Sequence, residues 1–238
     1  MNKACVALVL GLMASGQSFA NLLVDPGMNA IGSNGQLGNT PNAPWVVTAS
    51  RGAASPYDDG ASSEVWADVD GGGFGLFFKA FVGNPPWDPT AGSVNASIYQ
   101  DTVGTPGATY VLTGWWGAES NYSGLHTPGA NTIFALDFLN GSGGLLGSAE
   151  LDLEAAGLGG PSGSLNYKQY MLAATAPAGT ATVRARGSML GGEFLQDPGQ
   201  ALVTDLWALT SNSVPEPGTL ALLGVALAGV AALRRRRS

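Results

Sequence analysis

The side chains able to do chemistry are few and scattered. His126 is the only histidine, and it lies in Tyr122-Ser123-Gly124-Leu125-His126-Thr127-Pro128-Gly129, a loop composition with no neighbouring acid to orient an imidazole as a general base. Cys5 is the only cysteine, so a chain that loses its first residues keeps no thiol for a disulfide, a thiolate metal site or a nucleophile. Glycoside hydrolysis needs two carboxylates at a set separation. Glu150, Asp152 and Glu154 offer one such group, and Asp58 with Asp59 another. The first set also reads as the wet edge of an alternating strand and Asp58-Asp59-Gly60 as a turn, and spacing along the chain does not fix separation in space. Asp68-Val69-Asp70-Gly71 opens like a calcium loop, yet Gly72-Gly73-Phe74 adds no oxygen side chains, so the stretch reads as a glycine turn. The nucleophile elbow, the phosphate-cradling loop, the dinucleotide fingerprint and the His-Glu-x-x-His zinc pair are all missing from the chain. No catalytic residue is expected.

Aromatic residues carry a better functional argument. Sugar rings present apolar C–H faces that stack on Trp and Tyr, while their hydroxyls need polar neighbours. Trp87 sits between Pro85-Pro86 and Asp88-Pro89, too proline-rich for a central strand, and this places its indole in a rigid loop. Tyr57 and Tyr122 flank turns, as do Trp45 and Trp66, so Trp87, Tyr57 and Tyr122 are the candidate glycan-stacking residues. A hydrophobic plug is the competing reading for Trp87. Trp115 and Trp116 are adjacent within one strand and must point to opposite faces, one of them into the core.

The two ends of the chain say where it goes. Lys3, an apolar stretch over 4–14 and Ser18-Phe19-Ala20 form the pattern of a secretory signal peptide over 1–20, cut before Asn21. Val214-Pro215-Glu216-Pro217-Gly218 precedes an apolar run over 219–233 and then Arg234, Arg235, Arg236 and Arg237. As a helix the run reaches roughly 22 Å, short of a full hydrocarbon core, and snorkelling arginines with local thinning close the gap. Positive charge stays on the cytoplasmic side while the body is exported, so both ends predict one topology. This tripartite end resembles the PEP-CTERM sorting signal. The resemblance implies an exosortase, a membrane transpeptidase, as processing partner, with Val214, Pro215, Glu216 and Pro217 as recognition residues, the arginines as stop-transfer residues, and passage through the inner membrane to the cell surface or beyond.

Between the ends lies one domain. The chain has 36 glycines and only 11% charged residues, a balance that favours turns and extended chain over long helices. Of its 17 acidic residues only Glu216 lies outside 21–213, whereas Lys3 and the four terminal arginines account for half of its 10 basic ones. So acidic a body is repelled by phosphates, which excludes nucleic acid as a partner. Short runs rich in Val, Ile, Thr and aromatics recur between turn residues, predicting strands over 64–69, 76–82, 93–102, 109–116, 132–139, 145–153, 168–173, 181–186 and 201–209. Alternation supports them: Leu151 and Leu153 oppose Glu150, Asp152 and Glu154, and Val183 and Ala185 oppose Thr182, Arg184 and Arg186. Tight turns at Pro106-Gly107 and Pro177-Ala178-Gly179 call for antiparallel neighbours. The predicted organisation is a signal peptide over 1–20, an all-β antiparallel β-sandwich over 21–210, a linker over 211–218, a short transmembrane helix over 219–233 and an arginine-rich cytoplasmic tail over 234–238.

The opening Asn21-Leu22-Leu23-Val24-Asp25-Pro26-Gly27, with Ile98-Tyr99-Gln100-Asp101, Ala135-Leu136-Asp137-Phe138 and the closing Val203-Thr204-Asp205-Leu206, resembles the jelly-roll, galactose-binding-like domains that include many carbohydrate-binding modules. The resemblance implies a structural calcium held between the first and last strands, here by Asp25, Asn29 and Asp205, with Asn29 standing where the family commonly has glutamate. Together these features lead to a non-enzymatic exported protein associated with exopolysaccharide or biofilm matrix. A structural envelope protein without a ligand and a glycan-active hydrolase are the alternatives. In mass analysis of protein recovered outside the native host, the chain is expected to begin at Asn21 and to lack 220–238; an external product that keeps 220–238 contradicts sorting and removal.

Overall fold

The computed structural model describes residues 20–29, 44–51, 60–79, 93–159, 165–193 and 199–212. The signal peptide, Tyr57, Trp87, the sorting motif, the apolar run and the terminal arginines lie outside these residues. Among the described residues no helix is long and apolar enough to cross a membrane.

Ten strands follow in chain order: β1 (Val46–Arg51), β2 (Gly60–Glu64), β3 (Gly75–Lys79), β4 (Val94–Val103), β5 (Thr109–Ala118), β6 (Asn131–Leu139), β7 (Leu145–Asp152), β8 (Lys168–Thr175), β9 (Thr182–Gly192) and β10 (Leu202–Asn212). They form two five-stranded sheets, ordered β1-β4-β9-β6-β7 and β2-β3-β10-β5-β8. Every pairing is antiparallel. Because the chain crosses repeatedly from one sheet to the other, the antiparallel sandwich expected from the strand pattern has jelly-roll wiring, as the family resemblance implied.

Two expectations need correction. The strand predicted over 64–69 ends at Glu64, and a 3₁₀ turn over Val65–Ala67 follows. Val65 and Trp66 are both exposed, so that run lacks the buried alternate face that keeps a strand in register. The closing strand reaches Asn212, two residues into the stretch read as linker, because Ser211 and Asn212 still pair with Tyr110 and Thr109.

The core is built on aromatics from both sheets. Trp45, Trp116, Trp207, Phe134 and Phe78 are all fully buried. Trp207 meets Trp45 edge-on at 5.4 Å, Phe134 edge-on at 4.8 Å and Trp116 at 5.6 Å, and Phe78 stacks on Trp116 at 5.8 Å. Each such contact adds about 0.5–1.5 kcal/mol beyond the area it buries. Two glycines make room for the indoles. A Cβ on Gly114 would stand 2.8 Å from Trp207 Cδ1, and one on Gly187 would stand 2.6 Å from Trp116 Cη2 and 2.8 Å from Trp207 Cη2. Of the adjacent pair in β5, Trp116 packs in this core and Trp115 faces outward, half-buried. Gly187→Ala is expected to lower unfolding free energy by about 1–3 kcal/mol through overpacking; in urea titration an unchanged midpoint would show that the indoles have slack.

Candidate functional site

Two edges of the sandwich and its two outer faces hold the polar and aromatic groups available for function. The first edge lies where the closing strand bends. The β5–β10 ladder slips between Asp205 and Ala208, and Leu206 adopts a φ of 49° in the left-handed region. This bulge turns Trp207 into the core, where its Nε1 donates to Thr204 Oγ1 at 2.6 Å and its backbone N–H donates to Pro26 O at 2.9 Å. The opening segment is thereby tied to the closing strand. Asn21 strengthens the tie, donating from Nδ2 to Trp207 O at 2.9 Å and accepting from Leu209 N–H at 2.9 Å.

Asp205 is buried at the bulge and accepts from Val69 N–H at 3.0 Å and Leu206 N–H at 2.7 Å. Asp68 accepts from Asp70 N–H at 3.0 Å and from Gly73 N–H, and its carboxyl faces Asp205. Burial, reinforced by the Asp68 charge, pushes Asp205 up to about 7 against the pull of its two N–H donors. Burial also opposes ionisation of Asp68, but the Gly73 and Asp70 N–H groups outweigh it and hold that carboxyl below its usual value. The excess proton of the pair therefore sits on Asp205. Asn29, in the opening segment, meets the loop that follows Asp68. Its Oδ1 accepts from Phe74 N–H at 2.8 Å, and a Cβ on Gly73 would fall 1.9 Å from that same oxygen, so a larger residue there would push the Asn29 amide aside. The ion pairs among the described residues join Arg184 to Asp101 and Arg186 to Asp137 and Glu150, leaving the Asp68–Asp205 pair with no cation.

Of the three residues expected to hold calcium, Asn29 and Asp205 border this loop. Asp25 Oδ1 accepts from Asn29 N–H at 2.9 Å, and its carbonyl accepts from Trp45 Nε1 at 2.9 Å. Asp68, read from the sequence as part of a glycine turn, is the added carboxylate. Two carboxylates, one amide oxygen and a glycine cradle suit a hard oxygen-seeking cation, which would replace the shared proton. Among the described residues no three His, Cys, Asp or Glu side chains converge as a metal-holding group, so carbonyl and water oxygens would have to complete the shell.

Beside this edge the outer face of the second sheet carries a small apolar cluster of Ala67, Phe77, Ala201 and Val203, covered by Leu165 and Tyr167. Trp66 lies edge-on to Phe77 at 5.1 Å and remains 50% exposed. Tyr167 donates to Ala67 O, and burial followed by the charges of Asp205 and Asp68 raises its phenol further from ionisation. Trp115 opposes Asp205 and Gln169 in the ladder of the same sheet. The exposed aromatic of the described structure is thus Trp66, a residue the sequence placed only at a turn.

Tyr122 is not available for stacking. It is fully buried, with its hydroxyl 2.9 Å from Thr132 Oγ1, and Thr132 in turn donates to Glu154 at 2.5 Å from Oγ1 and at 2.7 Å from N–H. The 3₁₀ turn over Ser123–Leu125 swings the ring inward, so composition read as loop gave a core residue. Glu154 likewise leaves the solvent-facing row predicted for it. Burial raises its carboxyl despite the Thr132 donors. Of the carboxylates in this stretch, Glu150 binds Arg186, Asp152 accepts from Ala155 N–H and Glu154 accepts from Thr132. His126 is exposed, with Nε2 2.5 Å from Ser120 O.

The first sheet's outer face is a lattice of charges. Arg184 grips Asp101 with two bonds of 2.7 and 2.9 Å and lies 3.7 Å above the Tyr99 ring. Arg186 grips Asp137 at 2.7 and 3.1 Å and reaches Glu150 at 2.7 Å. Burial opposes ionisation of Asp137, but hydrogen bonds from Arg186 and Ser148 and both guanidinium charges prevail, holding it below its usual 3.8.

The fold is an antiparallel jelly-roll sandwich. The chain is similar to the enzymatically active domain of tailspike protein 4 of bacteriophage CBA120, at 13% identity and a TM-score of 0.51 over 81% of this chain and 21% of that one, so it spans about a fifth of the tailspike domain. It is also similar to TmCBM61, solved in complex with beta-1,4-galactotriose, at 15% identity and a TM-score of 0.45 over 81% of this chain and 99% of that one. At these identities the likeness is one of fold. Residues 213–237 match the PEP-CTERM protein-sorting motif, so the chain carries that motif at its carboxyl end. No curated protein sequence matches the chain.

Asp137 supplies a pH test. A carboxylate held below its unfolded value stabilises the fold above that value and loses the contribution as pH falls through the native one. Urea unfolding is expected to show wild-type stability falling below about pH 4, and falling less in Asp137→Asn. Arg186→Ala at neutral pH leaves Asp137 buried without its guanidinium and is expected to cost about 3–5 kcal/mol; a change near zero would mean that Arg184 alone suffices.

Proposed function

We propose that this chain is an exosortase-sorted, exported β-sandwich that binds exopolysaccharide of the surrounding matrix without altering it chemically. After processing it stays at the cell surface or outside the cell. The observation that carries the reading is Trp66, half-exposed and held at a fixed tilt by Phe77 on an otherwise ordered sheet face. An indole held against Phe77 offers a sugar's C–H face a large contact at small entropic cost, and Asp68 and Asp70, just after it in the chain, supply partners for hydroxyls. Trp87, the loop aromatic expected from the sequence, is a second candidate and lies outside the described residues. A calcium ion bridging Asp68 and Asp205 would neutralise both charges and stiffen the segment that presents Trp66. A structural envelope role without a ligand is the second reading, favoured by the loss of Trp45, Trp116 and Trp207 to the core.

A polysaccharide pull-down and glycan-array screen on the exported protein, with calcium and with chelator, separates these readings. Binding is expected, with Trp66→Ala weakening it about tenfold, the order of one stacking contact. Calcium is expected to raise the melting temperature of the wild type and not that of Asp205→Asn. Absence of binding under every condition moves the assignment to the structural role.

A further inference from the structure

The end of the sandwich from which the chain leaves differs in chemistry from the rest of the molecule. In the ladders Val103 opposes Thr182, Thr182 opposes Leu139, Leu139 opposes Leu145, and Thr109 opposes both Thr175 and Asn212. These strand ends form one rim. The opening segment reaches it too, since Leu22 N–H donates to Leu209 O at 2.8 Å and Val24 exchanges hydrogen bonds with Gln100 at 2.7 and 2.9 Å. Stretches 20–24, 102–109, 139–146, 175–182 and 209–212, which make up the rim, contain no Asp, Glu, Lys, Arg or His. In a protein with 17 acidic residues that blank is a strong departure.

The rim is apolar as well as uncharged. Val24 is 63% exposed, Val103 83%, Leu145 63% and Leu146 39%, and these four make up most of the large apolar side chains that the described residues expose. Between Val24 and Val103 lies a depression of about 490 Å³ lined also by Leu22, Pro44 and Ala181, with Asp101, paired to Arg184, as the one charged group at its margin. At the opposite end Glu119, Glu154, Glu193, Lys168 and His126 crowd the loops. Water penalises the first end and favours the second.

Chain length decides what covers the rim. Only residues 213–218 separate Asn212 from the apolar run that starts at Thr219, and two of them are proline. In extended, proline-stiffened form they reach roughly 19 Å. The headgroup zone takes up about 5–8 Å of that on each side of a bilayer. Strands of the length of β4 and β5 run about 33 Å, more than the tether, so the domain cannot turn its far end to the membrane while the run is inserted. We infer that, before processing, the sandwich stands on the lipid surface with this uncharged rim against the headgroups, Val24, Val103, Leu145 and Leu146 dipping among them, and the acidic end turned away from an anionic leaflet. The inference rests on 219–233 being a membrane span. It goes beyond glycan binding, because it fixes which face the anchored protein shows to the outside.

The test uses the chain as it stands after signal-peptide removal, residues 21–238, which holds no cysteine of its own, with single labelling sites at Val103→Cys, Leu145→Cys and, at the far end, the exposed Ala156→Cys. Each labelled protein is reconstituted in vesicles of phosphatidylethanolamine and phosphatidylglycerol, with and without nitroxide-bearing lipid. Several-fold stronger quenching at 103 and 145 than at 156 is the expected result, and Val24→Asp is expected to weaken quenching at 103. Chains that float with the vesicles but show equal quenching at all three sites overturn the rim proposal alone. Chains that do not float overturn the span reading and the rim proposal with it. Rim quenching that appears only when membrane proteins of the native host are added assigns the rim to a protein partner and overturns the lipid one.

Discussion

The closing strand cannot run straight past Asp205, because Leu206 takes a left-handed φ and the ladder to β5 slips there. Most of the architecture follows from that bend. It delivers Trp207 to the centre of the aromatic core, against Trp45, Trp116 and Phe134. It leaves the Trp207 N–H free for Pro26 O, which pins the opening segment, and it turns the Asp205 carboxylate sideways to hold Val69. One strained residue in the last strand therefore closes the core, fastens the start of the chain and positions the segment that carries Trp66 and Asp68. A non-glycine residue in that conformation costs on the order of 1–3 kcal/mol and persists only where its surroundings over-determine it, and four aromatic rings and two backbone clasps do so here.

Charge is distributed to match. Arginine is scarce in the body, and both arginines of β9 are spent on Asp101, Asp137 and Glu150, which converts one sheet face into a neutralised lattice. The Asp68–Asp205 pair is left without such a partner among the described residues, and burial with the Asp68 charge pushes Asp205 up to about 7. The same economy empties the exit rim of charge altogether. An acidic sandwich with an uncharged foot is suited to standing close to an anionic bilayer and then working away from it.

Much of this was legible in the sequence where the signal was local. Alternation in β9 set Val183 and Ala185 inward and Arg184 and Arg186 outward, and the adjacent Trp115 and Trp116 divided between the faces as a strand requires. The tripartite carboxyl end was readable because its three parts are contiguous. What escaped depends on contacts between distant segments. Asp68 acquires meaning only beside Asp205, Tyr122 looks like a surface loop residue until the 3₁₀ turn folds it onto Thr132, and Glu154 continues an alternating row in sequence but turns back to the same threonine. Trp66 was the converse case, a residue of ordinary context left exposed because Val65–Ala67 turns out of the sheet.

The central claim is that Asp205 at the bulge clasps the 68–74 segment onto the closing strand, and the Val69 amide reports on it directly. That N–H lies outside every strand and donates to the Asp205 carboxylate at 3.0 Å. Native-state hydrogen exchange is expected to show Val69 protected in the wild type and fast in Asp205→Ala, with the amides of β4 and β9 unchanged. Rapid exchange at Val69 in the wild type, or equal protection in the variant, would contradict the account.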